Sequence, residues 1–350
     1  MHLLANPFRG GEKLAPSAPY PSTDAHRVSA LLTKCPFFAE TPLVEAPGLA
    51  PVSAFWVKDE RSRMGLGSFK ALGAAYVIAR HAVELSDSPS SNVLAGRTYV
   101  TASAGNHGMS VAAGAKVFGA RAVVYIAETV PQSFADRLSA MGATPVRAGA
   151  DYAASMDAAT QAAKDNGWTL LSDSSWEGYT DLPYILMEGY LQMAFEAVEQ
   201  CPDCPTHIFL QAGVGGLAGA VAAFARKVWG DAPTIVVVEP DAAPALQASI
   251  KAGRCVFADG PDSVMGRLDC KEPSLIALNG LARDADYFVT LSDAEVCAEL
   301  PVMADAGLAT SASGGAGIAA AMNDRLRQSL GLGEDARVLC FLSEIPDEQT

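Results

Sequence analysis

The feature that most constrains this chain begins near residue 98, where short β-branched runs alternate with longer stretches of helical periodicity and Gly, Ser, Asp or Pro stand at the junctions. Strands separated by helices return to the same edge and pair in parallel, and a parallel sheet needs helices over both faces. The runs 98–101, 122–126, 168–171, 208–211, 235–238, 287–291 and 338–342 read as strands, most of them apolar enough to be buried on both sides. Helical periodicity covers 133–141, 153–164, 184–199, 216–229 and 316–330, each opening near a capping residue or a proline. The first 50 residues are richer in Pro and Ser and less periodic, so an arm lying across the main body is expected there.

With 350 residues, half of them hydrophobic, the chain can bury more core than one compact unit needs. One large or two closely packed domains are expected. A formal charge of -14 and a pI of about 4.8 repel nucleic-acid backbones and anionic lipid, leaving a small molecule as the expected partner. The start, Met1 to Pro7, lacks a basic segment followed by a long apolar one, and apolar runs such as Gly216 to Phe224 fall short of the roughly 20 residues that cross a bilayer. With seven unevenly spread cysteines, this reads as a cytoplasmic protein with reduced thiols.

Three segments carry chemistry. In Met64-Gly65-Leu66-Gly67-Ser68-Phe69-Lys70-Ala71-Leu72-Gly73, a lysine stands at the mouth of an apolar helix after a glycine-rich turn. It either snorkels to solvent, or serves as a desolvated amine able to form a Schiff base with an aldehyde. Ser103-Ala104-Gly105-Asn106-His107-Gly108 follows a strand and opens a helix. Its successive N–H groups suit a carboxylate, and the Asn106 amide suits a phenolate oxygen; a capped turn without ligand is the plainer alternative. Gln211-Ala212-Gly213-Val214-Gly215-Gly216-Leu217 also joins a strand to a helix, and its glycines let the backbone approach a phosphate. It lacks the lysine of a P-loop and the spacing of a dinucleotide site.

Other residues invite weaker readings. Cys201, Cys204 and His207 are spaced like metal ligands but leave a zinc ion one ligand short, and no metal is expected. Cys255 and Cys270 are expected as separate thiols and not a bridge. Glu239 marks either a ligand-binding strand end or a capped turn. His107 is expected to pack, and Asp173, close to Trp176, to be a partly desolvated acid near the substrate's leaving group.

In order and spacing, Ser68-Phe69-Lys70, Ser103 to His107 and Gly213 to Leu217 resemble the fold-type II pyridoxal-phosphate enzymes, the tryptophan synthase β group. Within that group the chain is similar to the diaminopropionate ammonia-lyase family, through Gly65 to Gly73, Asp173-Ser174-Ser175-Trp176-Glu177-Gly178-Tyr179 and Met265-Gly266-Arg267-Leu268-Asp269-Cys270-Lys271-Glu272-Pro273. The resemblance runs from about Thr41 to Ser343. It implies pyridoxal 5'-phosphate as cofactor, joined to Lys70 beside Phe69, with Asn106 on its 3-oxygen, Gly213, Val214, Gly215, Gly216 and Leu217 around its phosphate, and Ser343 at its pyridine nitrogen. It also implies the substrate carboxylate on Ser103, Ala104, Gly105, Asn106 and His107, and Lys70 as a catalytic residue, to which the desolvated Asp173 is added as the second. Two departures stand out: Ala104 occupies a place where the family carries aspartate and the dehydratases alanine, and 310–317 lacks an expected glutamate.

The expected fold is therefore α/β, two doubly wound domains with the cofactor in the cleft between them. Residues 1–94 and 190–350 would form the large domain and 95–189 the small one, in a homodimer as the resemblance implies. The expected activity is α,β-elimination from a β-substituted L-amino acid, most simply 2,3-diaminopropionate, to a 2-keto acid and ammonia. A serine/threonine-type dehydratase and a non-enzymatic pyridoxal-phosphate-binding regulator are the alternatives.

Overall fold

A computed structural model describes residues 1–347. Its strands are β1 (His2–Ala5), β2 (Leu43–Glu45), β3 (Ala54–Asp59), β4 (Thr98–Ala102), β5 (Arg121–Ile126), β6 (Thr144–Arg147), β7 (Thr169–Leu170), β8 (His207–Gln211), β9 (Thr234–Pro240), β10 (Tyr287–Leu291) and β11 (Arg337–Leu342). They form a seven-stranded sheet in the order β1-β10-β9-β8-β11-β3-β2 and a four-stranded sheet in the order β6-β5-β4-β7. Pairing is parallel throughout except at the edges of the larger sheet, where β1 and β2 add antiparallel. The N-terminal arm is thus partly sheet: β1 runs beside β10, with His2 opposite Thr290.

The larger sheet is covered on both faces, and the period of two decides which residue goes where. Ile208, Leu210, Ile235, Val237, Leu339 and Phe341 point into one core with the helices Lys70–Leu85 and Gly216–Trp229. Phe209, Val236, Val238, Val338, Cys340 and Leu342 point into the other, against the helix Ala312–Met322.

Two expected helices are each a pair. The stretch 184–199 is split into Asp181–Gly189 and Leu191–Gln200, where Tyr190 N–H donates to the Met187 carbonyl and tightens the join. The stretch 316–330 is split at Asn323, whose extended backbone ends one helix and whose side chain accepts from Leu326 N–H to start the next. Glu239 proves to be a cap: its carboxylate accepts from Leu246 and Gln247 N–H at 2.7 and 2.8 Å, at the start of the helix Ala245–Ala252.

A fully buried ionic cluster fixes the approach to Lys70. Arg63 donates to Glu60 at 2.7 Å and to Glu196 at 2.6 and 2.9 Å, and Lys58 Nζ lies 2.7 Å from Glu196. Thr41 Oγ1 donates to Glu60 at 2.6 Å, tying in the arm. Two cations and two carboxylates balance, which is what makes burial of all four tolerable. Burial raises the Glu196 carboxyl, but Arg63 and Lys58 outweigh it and hold the group at about 2.

Candidate active site

Four strands of the larger and smaller sheets deliver their C-terminal ends to one place. The Gly-rich turn leading to Lys70 follows β3, the loop 103–107 follows β4, the glycine loop 213–216 follows β8, and Ser343 and Glu344 follow β11. This is the edge at which open α/β sheets bind ligands. A groove of about 810 Å³ lined by Thr98, Arg121 and Thr169 lies at the opposite, N-terminal ends of β4, β5 and β7, away from this chemistry.

Lys70 opens the helix Lys70–Leu85, and its Nζ lies 2.5 Å from Asp173 Oδ2. Phe69 and Tyr190 pack against each other beside it, tilted by 58° with ring centroids 4.9 Å apart, and Nζ lies 5.2 and 5.7 Å from the two rings. Burial opposes the ammonium charge, but Asp173 prevails and holds the Lys70 pKa above its ordinary value; burial opposes the carboxylate too, and Lys70 holds it below its own. Asp173 stands on a braced loop. Trp176 and Tyr179 stack at 4.4 Å, Tyr179 Oη accepts from Ser172 N–H and donates to the Leu170 carbonyl, and Ser175 Oγ meets Ser274 Oγ at 2.7 Å.

The glycine loop shows why glycine stands there. Gly215 has φ +98°, and a Cβ on it would lie 2.9 Å from Ala277 Cβ. A Cβ on Gly213 would meet Cys270 Sγ at 3.0 Å and the Arg267 carbonyl at 3.1 Å. Val214 accepts from Ser274 N–H at 3.0 Å and Leu217 is buried. The helix Gly216–Trp229 begins here, and its first-turn N–H groups have no acceptor within the helix.

Of the loop after β4, Ser103 Oγ accepts from Gly105 and Gly108 N–H at 3.2 and 3.1 Å, so its hydroxyl shapes the turn; Ala104 is exposed at the lip. His107 is buried, with Nε2 on the Leu171 carbonyl at 2.8 Å. Asn106 Nδ2 donates to Glu344 Oε2 at 2.6 Å. Ser343 is buried at the end of β11, its carbonyl accepting from Phe69 N–H at 3.1 Å. Glu344 pairs by backbone with Ser68, and Ile345 N–H donates to the Gly67 carbonyl at 2.9 Å. The Lys70 turn is therefore stitched to the residues after β11.

Glu344 and Arg267 join the site without having been singled out from the sequence. Arg267 Nη1 donates to Glu344 Oε1 at 2.8 Å, and Ser311 Oγ donates to the same oxygen. The segment 310–317 lacks a glutamate of its own, yet Ser311 bonds the carboxylate of Glu344, while Thr310 Oγ1 donates to the backbone carbonyl of the same residue at 2.7 Å. Cys201, Cys204, Cys255 and Cys270 are all free thiols, and His207 Nδ1 meets Thr206 Oγ1 at 2.9 Å.

The arrangement passes a concrete test for an aldehyde cofactor bearing a phosphate. An amine stands at the mouth of a helix, a loop whose Gly213 and Gly215 are packed too closely to carry a Cβ stands at the head of another, and the buried His107 Nδ1 and Tyr190 Oη have no partner among the described residues.

The pattern of the family described as pyridoxal-phosphate dependent enzyme matches residues 35–344. The diaminopropionate ammonia-lyase of Escherichia coli K12 is 33% identical, over 88% of this chain and 84% of its own. The L-serine dehydratase/L-threonine deaminase of Homo sapiens is 27% identical, over 77% of this chain and 78% of its own. A crystal structure of the Escherichia coli diaminopropionate ammonia lyase in complex with D-serine superimposes with a TM-score of 0.86 at 30% identity, covering 98% of this chain and 93% of the other. The lysine at its helix mouth, the glycine cradle and these likenesses agree, and the chain belongs to the pyridoxal-phosphate dependent enzyme family.

Proposed function

We propose that this protein is an ammonia-lyase acting on 2,3-diaminopropionate, releasing a 2-keto acid and ammonia. The observation that carries the reading is the contact of Lys70 Nζ with Asp173 beside the glycine cradle, in a chain whose relatives include lyases of that name. Residues 95–189 form the small domain and 1–94 with 190–350 the large one; the division of strands between the two sheets supports this. The protein works as a cytoplasmic homodimer. Its free thiols fit a reducing compartment, and no described helix is long and apolar enough to cross a membrane.

Lys70 holds the cofactor, with Phe69 and Tyr190 walling off water below it. The N–H groups of Gly213 to Leu217 hold the phosphate, and the helix dipole behind them supplies the positive potential that a chain of net charge -14 otherwise denies. Asn106 would supply a donor for the 3-oxygen and Ser343 a hydroxyl for the pyridine nitrogen. The loop Ser103, Ala104, Gly105, Asn106 and His107 takes the substrate carboxylate. When bound, pyridoxal phosphate supplies the sink for electrons from a broken Cα–H bond. Lys70 Nζ takes the Cα proton, and Asp173 assists as the Cβ–N bond breaks and ammonia departs. Water then replaces the α-amine, so diaminopropionate and one water yield a 2-keto acid and two ammonia.

A panel of L-2,3-diaminopropionate, L-serine and L-threonine tests this by measuring keto acid and ammonia together. Two ammonia per keto acid, with diaminopropionate turned over fastest, is the expected result; preference for L-serine at one ammonia per keto acid would favour the dehydratase reading, which Ala104 supports. The same residue sets the stereochemistry. L and D substrates present their Cα protons to opposite faces, Lys70 serves one of them, and Ala104 offers no base to the other. L substrates should be strongly preferred and no racemisation seen; comparable rates from pure L and D isomers would defeat the assignment.

Gly215→Asp should abolish cofactor retention, since it adds a side chain at φ +98° into Ala277 and a negative charge beside the phosphate. Dialysis followed by absorbance reads this directly, and a folded variant that keeps its cofactor would show that the phosphate lies elsewhere.

A further inference from the structure

Arg267 stands beside the loop 103–107, and the role assigned to it here rests on the function proposed above. Its backbone N–H is pinned by Ser313 Oγ at 3.1 Å, and its Nη1 is shared between Glu344 at 2.8 Å and Asp347 at 2.7 Å. Its Nε lies 3.9 Å from the position a Cβ would take on Gly105. The guanidinium thus hangs over the loop 103–107, with a side chain 37% exposed. Nε and Nη2 have no acceptor among the described residues, although a guanidinium offers five donors. Glu344 grips both partners, taking Arg267 on one oxygen and Asn106 on the other, and so sets the distance between guanidinium and loop. Ala104 places a methyl group on the same lip, so no acid there competes for the cation.

We propose that Arg267, positioned by Glu344, is a second receptor for the substrate's α-carboxylate and determines the requirement for that group. The loop N–H groups are neutral dipoles, whereas a charge-assisted contact from arginine is roughly twice as strong and can be bidentate. Loss of such a contact is expected to cost about ten- to a hundredfold in affinity.

The test uses the loaded enzyme and two ligands without a leaving group: L-alanine, and ethylamine, which is L-alanine without its carboxylate. Binding is read from the change in the cofactor's absorbance, independently of turnover. In Arg267→Met the affinity for L-alanine should fall about ten- to a hundredfold while that for ethylamine stays put, and with diaminopropionate the loss should fall on KM more than on kcat. Arg267→Lys, which keeps the charge but not the fork, should lie between, and Glu344→Gln should weaken L-alanine selectively through the lost tether. Equal weakening of both ligands, or none, in Arg267→Met would overturn the proposal and leave Arg267 as a neutraliser of Glu344. A wild-type protein whose absorbance responds to neither ligand would instead remove the lysine-bound cofactor itself, and the inference with it.

Discussion

Replacing Lys70 with alanine should lower keto-acid formation on the order of 10³-fold or more, because one amine both anchors the cofactor and takes the Cα proton. Borohydride should fix the cofactor on the Lys70 peptide in the wild-type protein and on no peptide of the variant; label on another lysine would end the reading. The ion pair with Asp173 adds a pH signature. Only the neutral amine attacks an aldehyde, and Asp173 holds the Lys70 pKa above its ordinary value in the ligand-free protein. The neutral fraction therefore rises with pH, and cofactor loading should accelerate with it. Asp173→Asn should load faster than wild type at neutral pH and yet turn over more slowly, a split that damage to the fold would not produce.

The second large effect is on stability. Arg63→Met removes the cation that Glu60 and Glu196 share in a fully buried setting, which should cost about 3–5 kcal/mol, seen as a lower urea midpoint. Replacing the arginine with an apolar side chain of similar length keeps the packing but leaves Glu60 without its ion-pair partner and Glu196 with Lys58 alone. The pH dependence follows from Glu196, held at about 2 against an ordinary 4.5. A depressed folded pKa stabilises the native state above the ordinary value and loses that contribution as pH falls toward the folded one. The deficit of Arg63→Met should therefore be full near neutrality and shrink between about pH 4.5 and 2. A deficit independent of pH would mean that lost packing, and not charge, dominates.

Much of the sheet was legible because buried parallel strands announce themselves as apolar runs: β4, β5, β8, β9, β10 and β11 all fall where such runs stand. β3 did not, since its last residues, Lys58 and Asp59, are polar; Lys58 is buried by an ion pair with the distant Glu196, and Asp59 pairs with Arg61 just beyond the strand. β1 is four residues long and takes its identity from pairing with β10, a contact no local pattern encodes. At the site, Lys70, the loop after β4 and the glycine loop could be read because each is a strand-to-helix junction with its own residue grammar. Arg267 and Glu344 could not: they meet across 77 residues, and Glu344 reaches Asn106 across 238. The nearest sequence signal was an absence, the missing acid in 310–317, which the fold supplies from another strand's end.

The place of β11 in the larger sheet has a consequence for biosynthesis. It lies between β8 and β3, so a central position is taken by the strand made after all the others described, and its extension completes the Lys70 turn. A nascent chain emerging from the ribosome can close the smaller sheet from contiguous sequence, but it must hold a gap in the larger one until residues 337–344 are released. Cofactor capture is thereby deferred until residues 337–344 have joined the sheet, and during that interval the exposed flanks of β3 and β8 are the surfaces that a chaperone would have to shield.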